Sequence, residues 1–259
     1  MSLKGRTALI TGATGAIGQE IALTIAELGG SLILVDQPNS NYDYIKQNIL
    51  NTWDTDIECI DCDLEYESSR KELIKLIIKS GKNLDILINN AAFVGESNLS
   101  GWVENFQNQS LETWRRSMEV NLTAPFHLSQ ALTPLLKKNG NGSIVNIASI
   151  YGIKAPDYSL YEDTNMGNPA GYSASKGGLI QLTRWLSSTI APNIRVNSIS
   201  PGGVWRSQPE RFIDRYEART SLKRMATEED FKGIIAYLSS DLSSYVTGQN
   251  VVIDGGWTV

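Results

Sequence analysis

Seven short runs of aliphatic and β-branched residues alternate with longer helical patterns, and this alternation leaves few folds open to the chain. Thr7–Thr11 is followed by a glycine-containing turn and a helical stretch from Ala16 to Leu28, and Leu32–Val35 ends at Asp36. Asp56–Cys62, Leu84–Ile88, Gly142–Ile147, Arg195–Ile199 and Val251–Ile253 are the remaining runs. Among the helical patterns, Glu65–Lys79 is clearly amphipathic, and another runs from Tyr172 to about Ile190. Strands joined by helical crossovers pair in parallel and need cover on both faces. Right-handed crossovers then make the sheet doubly wound. The expected fold is α/β, one domain over residues 1–259, with a seven-stranded, mostly parallel sheet and helices on both faces. The 259 residues contain no internal repeat and no Pro/Ser-rich linker.

Composition removes several classes of function. Lys plus Arg is 23 against 28 Asp plus Glu, a formal charge of −5, which disfavours nonspecific binding to nucleic acid or to an anionic membrane. Cys59 and Cys62 cannot staple a domain of this size, so a reducing, cytoplasmic setting is expected. With His127 the sole histidine, a metal centre needing two imidazoles is excluded, and no metal is expected. No apolar run reaches the roughly 18 residues of a membrane span. The first β-type run begins at Thr7, which leaves no room for a signal peptide after Met1.

Three stretches fit the alternation poorly: 93–111, 150–170 and 204–225. Each follows a predicted strand, and ligands of open α/β sheets bind beyond the carboxyl ends of the strands. These are candidate substrate loops; surface elaboration is the alternative.

Thr11-Gly12-Ala13-Thr14-Gly15-Ala16-Ile17-Gly18 joins the first strand to the first helix. Gly12 permits a tight turn, the small residues let backbone approach a pyrophosphate, and the helix N-terminus supplies free N–H groups. In a first βα unit this predicts a dinucleotide site of the Rossmann type. Asp36 lies eighteen residues beyond Gly18, where an acid can bond the adenosine ribose hydroxyls and repel a 2′-phosphate. No Lys or Arg occurs in the turn, so NAD is favoured over NADP.

Tyr172 and Lys176 share one face of a helix, one turn apart. A cation beside the phenol favours phenolate, so the pair reads as an acid–base group working near pH 7 to 8.

With these residues in place, the chain resembles the short-chain dehydrogenase/reductase family, of the classical type, from Thr7 to Trp257. The resemblance includes Asp63-Leu64 after the third strand, Asn89-Asn90-Ala91-Ala92 after the fourth, and Trp114 seven residues before Asn121. It continues through Ser149, Tyr172/Lys176, Asn197–Gly202, Thr247-Gly248-Gln249 and Asp254-Gly255-Gly256. It implies that Tyr172 is the general acid or base, and that Lys176 holds the nicotinamide ribose and lowers the Tyr172 pKa. Ser149 would orient the substrate oxygen and Asn121 sustain a water relay. The cofactor residues it implies are Gly12, Thr14, Gly15, Ala16, Ile17 and Gly18 in the turn, Asp36, Asp63 and Leu64 by the adenosine, Asn90, Ala91 and Ala92, and finally Pro201, Gly202 and Val204. Assembly as a homodimer or homotetramer is also implied, through the helices carrying Asn121–Leu136 and Tyr172–Ile190.

Three departures stand out. Ala16 replaces a usual glycine, and Gly12-x-x-Gly15-x-x-Gly18 equally fits the extended branch that modifies nucleotide sugars; length, the late Tyr172 and Asp254-Gly255-Gly256 favour the classical branch. Arg206 follows the Pro201–Val204 loop where a Thr is expected. Ser149 and Tyr172 are twenty-three residues apart, roughly ten more than the family usually shows.

The added residues include Tyr158 and Tyr161 among acids and amides, which suits a polyhydroxylated small molecule better than an acyl chain or a steroid. Arg206, Arg211, Arg215 and Arg219 suggest a lid for an anionic group, although charge alternation favours an ion-paired surface helix. Within the family the loops look most like bacterial flagellin-modification oxidoreductases of sialic-acid-like sugar pathways. Cys59-x-x-Cys62 and His127 read as packing residues, and Thr227 with Asp230 as a helix cap. The leading expectation is an NAD(H)-dependent oxidoreductase interconverting an alcohol and a carbonyl on a sugar or nucleotide-sugar. A non-catalytic NAD-binding regulator or scaffold, and a sugar epimerase or dehydratase with tightly held NAD, remain as alternatives.

Overall fold

In a computed structural model, which describes residues 1–94 and 99–259, one seven-stranded parallel sheet organises the chain. The strands are β1 (Thr7–Thr11), β2 (Ser31–Asp36), β3 (Ile57–Asp61), β4 (Ile86–Asn89), β5 (Gly142–Ile147), β6 (Ile194–Pro201) and β7 (Asn250–Ile253). Their order is β3-β2-β1-β4-β5-β6-β7, so the direction of winding reverses between β1 and β4. The reversal opens a crevice beyond the carboxyl ends of those two strands. Residues 95–98, part of the 93–111 loop, lie outside the described residues.

Successive strand residues point to opposite faces, which explains the unbroken apolar runs of the inner strands. Ala8, Ile10, Leu32 and Leu34 pack under helices α1 (Ala16–Glu27), α2 (Asp43–Leu50) and, late in the chain, Lys232–Ser239. Leu9, Ile33 and Val35 pack on the other face under α3 (Glu67–Ser80), Ala124–Leu136 and Ala170–Thr189. In chain order the helices after α3 are α4 (Leu111–Met118), α5 (Ala124–Leu136), α6 (Ala170–Thr189), α7 (Glu210–Arg219) and α8 (Lys232–Ser239). A third cluster, Ile150, Leu160, Phe212, Tyr216, Met225 and Trp257, sits beneath the late loops.

The expected Asn121–Leu136 helix is longer and interrupted. It starts at Leu111, where the Ser110 hydroxyl accepts the Thr113 N–H at 3.1 Å, and a π-helical turn spans Glu119–Thr123. Asn121 sits inside that turn, a backbone irregularity that favours functional positions. β4 begins at Ile86, two residues later than the apolar run. Buried Asp85 instead accepts the Thr7 N–H at 2.9 Å and the Asn139 amide at 2.7 Å. Among the described residues no helix is long and apolar enough to cross a membrane.

Candidate active site

The turn after β1 needs glycine at two places. Gly12 has φ +65, and a Cβ there would lie 2.8 Å from Ala91 Cα; at Gly18 it would lie 2.0 Å from Gly12 O. Ala16, where a glycine is usual, is exposed at the start of α1. Gly15 caps α1 without a side-chain acceptor, which leaves first-turn N–H groups for an anion. Asn90, just beyond β4, locks the turn: its Nδ2 donates to Thr11 O and to Gly12 O, each at 3.0 Å. The Thr11 hydroxyl accepts the N–H groups of Asn90 and Ala91 at 3.1 Å.

A buried amide ladder carries order from the sheet to α6. Asn89 Nδ2 donates to Asn146 Oδ1 at 2.8 Å, and Asn146 Nδ2 donates to Thr183 Oγ1 at 2.9 Å. Asn121, fully buried, accepts the Phe93 N–H at 2.6 Å and donates to Phe93 O at 3.2 Å and to Ser175 Oγ at 3.0 Å. It thereby ties the strand-end loop to the residue before Lys176.

One cleft of about 510 Å³ gathers most of the candidate residues. One end is lined by Asp36, Asp63 and Leu64, and the middle by Gly12, Thr14, Gly15, Ala16, Ile17 and Gly18 with Asn90, Ala91 and Ala92. Ser149, Tyr172, Lys176, Pro201, Gly202 and Arg206 line the far end. Asn121 and Val204 do not line it; Val204 instead forms a bridge with Ala226.

Lys176 is 2% exposed, and its Nζ donates to Ile147 O at 2.7 Å, 5.8 Å from the centre of the Tyr172 ring. Burial lowers its pKa to about 8. Burial also raises the Tyr172 pKa, and the Ser149 hydroxyl draws it partly back. This corrects the expected direction for Tyr172, because the ammonium is held on a carbonyl rather than on the phenol and desolvation dominates. Ser149 Oγ accepts the Tyr151 N–H at 3.2 Å.

Two expected substrate residues lie elsewhere. The Tyr161 hydroxyl meets that of Tyr151 at 2.5 Å, and its ring packs on Phe212 within the third cluster. Tyr158 is exposed on a separate cleft. The arginines of α7 make an ion-paired surface helix, the reading that charge alternation favours over an anion lid, with their partners in this chain's own 157–163 segment. Arg211 pairs with Asp163 at 3.3 Å, Arg215 donates to Glu162 O at 2.5 Å, and Arg219 pairs with Asp157 and donates to Ser159 Oγ at 3.0 Å. Arg206 pairs with Glu228 at 2.5 Å.

Tyr216 was missed by the sequence reading. Its hydroxyl accepts the Gly203 N–H at 2.5 Å, beside the cleft residue Gly202. Phe212 and Tyr216 recur four residues apart and are the buried residues of α7, a signal that the arginine spacing on the same helix obscured. His127 accepts from Arg70 Nε at 3.2 Å, and both cysteines are free, their thiols pushed up by burial. Thr227 and Asp230 form a reciprocal capping box.

Known proteins give this arrangement a context. The family model for enoyl-(acyl carrier protein) reductase matches residues 12–258. A 3-oxoacyl-(acyl-carrier-protein) reductase of Thermotoga maritima is 31% identical, with 100% of each chain covered. Post-translational flagellin modification protein A of Campylobacter coli is 29% identical over 98% of this chain and 99% of its own. A short chain dehydrogenase from Leptospira borgpetersenii, solved with bound NAD+, superposes with a TM-score of 0.85 at 35% identity, covering 100% of this chain and 94% of that one. A protein provisionally assigned as an NAD(P)-dependent gluconate 5-dehydrogenase from Beutenbergia cavernae, with NADP at low occupancy, gives 0.86 at 30% identity, covering 99% and 98%.

Proposed function

The chain belongs to the short-chain dehydrogenase/reductase family of NAD(P)-binding alcohol–carbonyl oxidoreductases, and from that premise we propose that it uses NAD(H) in preference to NADP(H) and acts on a polyhydroxylated, sugar-type substrate. The observation that carries the reading is the single cleft that runs from the Asp36 carboxylate to Ser149, Tyr172 and Lys176. The cleft residues fit a dinucleotide: Gly12 and Gly18 stand where a Cβ would collide with backbone, and an uncapped helix end faces the turn.

The nicotinamide, when bound, supplies or accepts the hydride. The chain's own residues do the rest. Tyr172 gives a proton to the substrate oxygen in reduction and takes it back in oxidation. Ser149 fixes that oxygen with a hydroxyl already oriented by the Tyr151 N–H. Lys176, its Nζ held on Ile147 O beside Tyr172, would hold the nicotinamide ribose. Asn121 braces the start of α6 through Ser175, so the two catalytic side chains keep their spacing.

Asp36 supports NAD, since a carboxylate at the end of β2 repels a 2′-phosphate and Gln37 beside it carries no charge. The amide- and aromatic-rich 99–111 and 150–170 loops support a polyhydroxylated substrate, as does the likeness to the flagellin modification protein. Assembly through the α4–α6 face is supported by exposed Trp114, Phe126 and Trp185. The test is a paired fluorescence titration with NADH and NADPH, followed by turnover assays on sugars, nucleotide-sugars, a steroid ketone and an acyl thioester. NADH binding at least tenfold tighter than NADPH, with turnover of a sugar, is expected. Preference for NADPH, or turnover of the apolar substrates alone, would overturn the finer reading.

A further inference from the structure

A second cleft, of about 600 Å³, lies between residues 102–109 and the 158–169 segment, and it shares no lining residue with the dinucleotide cleft. Gln109 stitches its walls together: Nε2 donates to Glu104 O at 3.1 Å, and Oε1 accepts the Ala170 N–H at 3.0 Å. Buried Trp102 closes one side, its Nε1 donating at 2.6 Å to the carbonyl of Val94, which lines the dinucleotide cleft.

The inner end is marked by Asn168, only 6% exposed. Its Oδ1 accepts the Ser173 hydroxyl at 2.7 Å, which leaves Nδ2 as a donor with no partner among the described residues. Asn168 is itself one of the residues that line the cleft. Buried amide donors are nearly always satisfied, and an open one facing a cleft points to a ligand acceptor.

The remaining chemistry narrows the ligand. Tyr158, 62% exposed, offers an aromatic face at the mouth, and Asn105, Asn165 and Glu104 offer amide and carboxylate groups. Among the described residues no Lys, Arg or His lines the cleft, and the Glu104 carboxylate repels anions. We propose that this cleft binds an uncharged polyhydroxylated molecule, with Asn168 donating to a hydroxyl at the inner end and Tyr158 covering a C–H face at the mouth. The ligand class rests on the substrate reading above; the location rests on the geometry alone. Ser173, bonded to Asn168, directly follows Tyr172, so the site abuts the start of the catalytic helix.

The experiment is a ligand-observed NMR titration of the full chain, loaded with NAD+, using N-acetylglucosamine and its 6-phosphate. Wild type, Asn168→Asp, Tyr158→Ala and Glu104→Gln are compared, with NADH titration of each as a check on folding. Asn168→Asp keeps the acceptor for Ser173 and replaces the free donor by a carboxylate oxygen. The neutral sugar should bind wild type, and the first two variants should each weaken it about five- to tenfold. The phosphate should bind about tenfold more weakly, and Glu104→Gln should narrow that gap. Absence of binding, binding that neither variant alters, or tighter binding of the phosphate overturns the proposal. Sugar turnover together with variant-insensitive binding sinks the cleft and leaves the substrate reading standing. Variant-sensitive binding without sugar turnover upholds the cleft and sinks the substrate reading.

Discussion

The N–H and the hydroxyl of Thr14 both donate to one oxygen of Asp36, each at 2.8 Å. The carboxylate that ends β2 therefore anchors the glycine turn as well as lining the cleft. Hydrogen bonds to a charged group are worth about 1.5–3 kcal/mol each, so the two functions can be separated. Asp36→Asn keeps an acceptor for Thr14 and removes the charge that repels a 2′-phosphate; it should shift preference toward NADPH with modest loss of NADH affinity. Asp36→Ala should shift the same preference and also weaken NADH by about ten- to a hundredfold. An NADH/NADPH affinity ratio unchanged in both, measured by fluorescence titration, would place selectivity elsewhere.

Tyr172→Phe removes only the ionisable oxygen at the far end of the cleft. Turnover should fall about 10²- to 10⁴-fold, the usual contribution of a positioned acid–base group. NADH affinity should stay within about threefold, because the ring remains and Lys176 is held by Ile147 O rather than by the phenol. Single-turnover rates and binding constants from one preparation provide the check; full activity would remove Tyr172 from the proton path.

Much of this site could be read from the chain because it depends on local rules. A tight turn before a helix demands glycine, and a four-residue step sets Tyr172 above Lys176, whatever surrounds them. The sheet was readable for a related reason: strands buried on both faces are apolar without a break. What escaped were choices of partner. Nothing near Arg215 or Arg219 says that their acceptors lie in the 157–163 segment, and nothing near Asn121 reveals a π turn. Exposed loops of mixed aromatic and polar residues likewise do not disclose that Tyr161 packs inward on Phe212 while Tyr158 faces a separate cleft.

Lys176 gives a pH dependence whose sign is fixed by its environment. Burial lowers its pKa to about 8 from an ordinary value of 10.5. Below pH 8 both folded and unfolded chains carry the ammonium, and the folded state bears the full cost of burying it. Between pH 8 and 10.5 the folded chain sheds the proton first, so the cost fades and this group makes stability rise with pH. Lys176→Met lacks the titration, and its stability relative to wild type should be highest near pH 7 and decline steadily by pH 9.5. Urea unfolding of both chains at pH 7, 8.5 and 9.5 measures the gap; a gap that widens with pH would contradict the burial argument.

The ion pairs between α7 and the 157–163 segment are exposed, so each should contribute about 1 kcal/mol or less to global stability. Their effect should be local. Raising NaCl to about 1 M shortens the screening length to about 3 Å and should loosen the segment from α7. Hydrogen exchange across residues 157–163 should quicken while the sheet amides stay protected, and Arg215→Ala/Arg219→Ala should reproduce this at low salt. Equal exchange in all three conditions would show that apolar packing, not charge, holds the segment.

Tyr216→Phe tests how α7 reaches the cofactor cleft. The phenol accepts the Gly203 N–H, and Gly202, one residue earlier, lines the cleft beside Pro201. The ring itself stacks on Trp257 at 5.8 Å, so removing the oxygen leaves the packing intact and strands one backbone donor. An unsatisfied buried N–H costs about 1–3 kcal/mol, part of which the loop can relieve by shifting. The expected result is a lower melting temperature together with an NADH KM raised several-fold and kcat changed much less, since Tyr172 and Ser149 lie on other elements. A fall in stability without a change in NADH KM would mean that Tyr216 supports the fold alone and leaves the cofactor loop indifferent to α7.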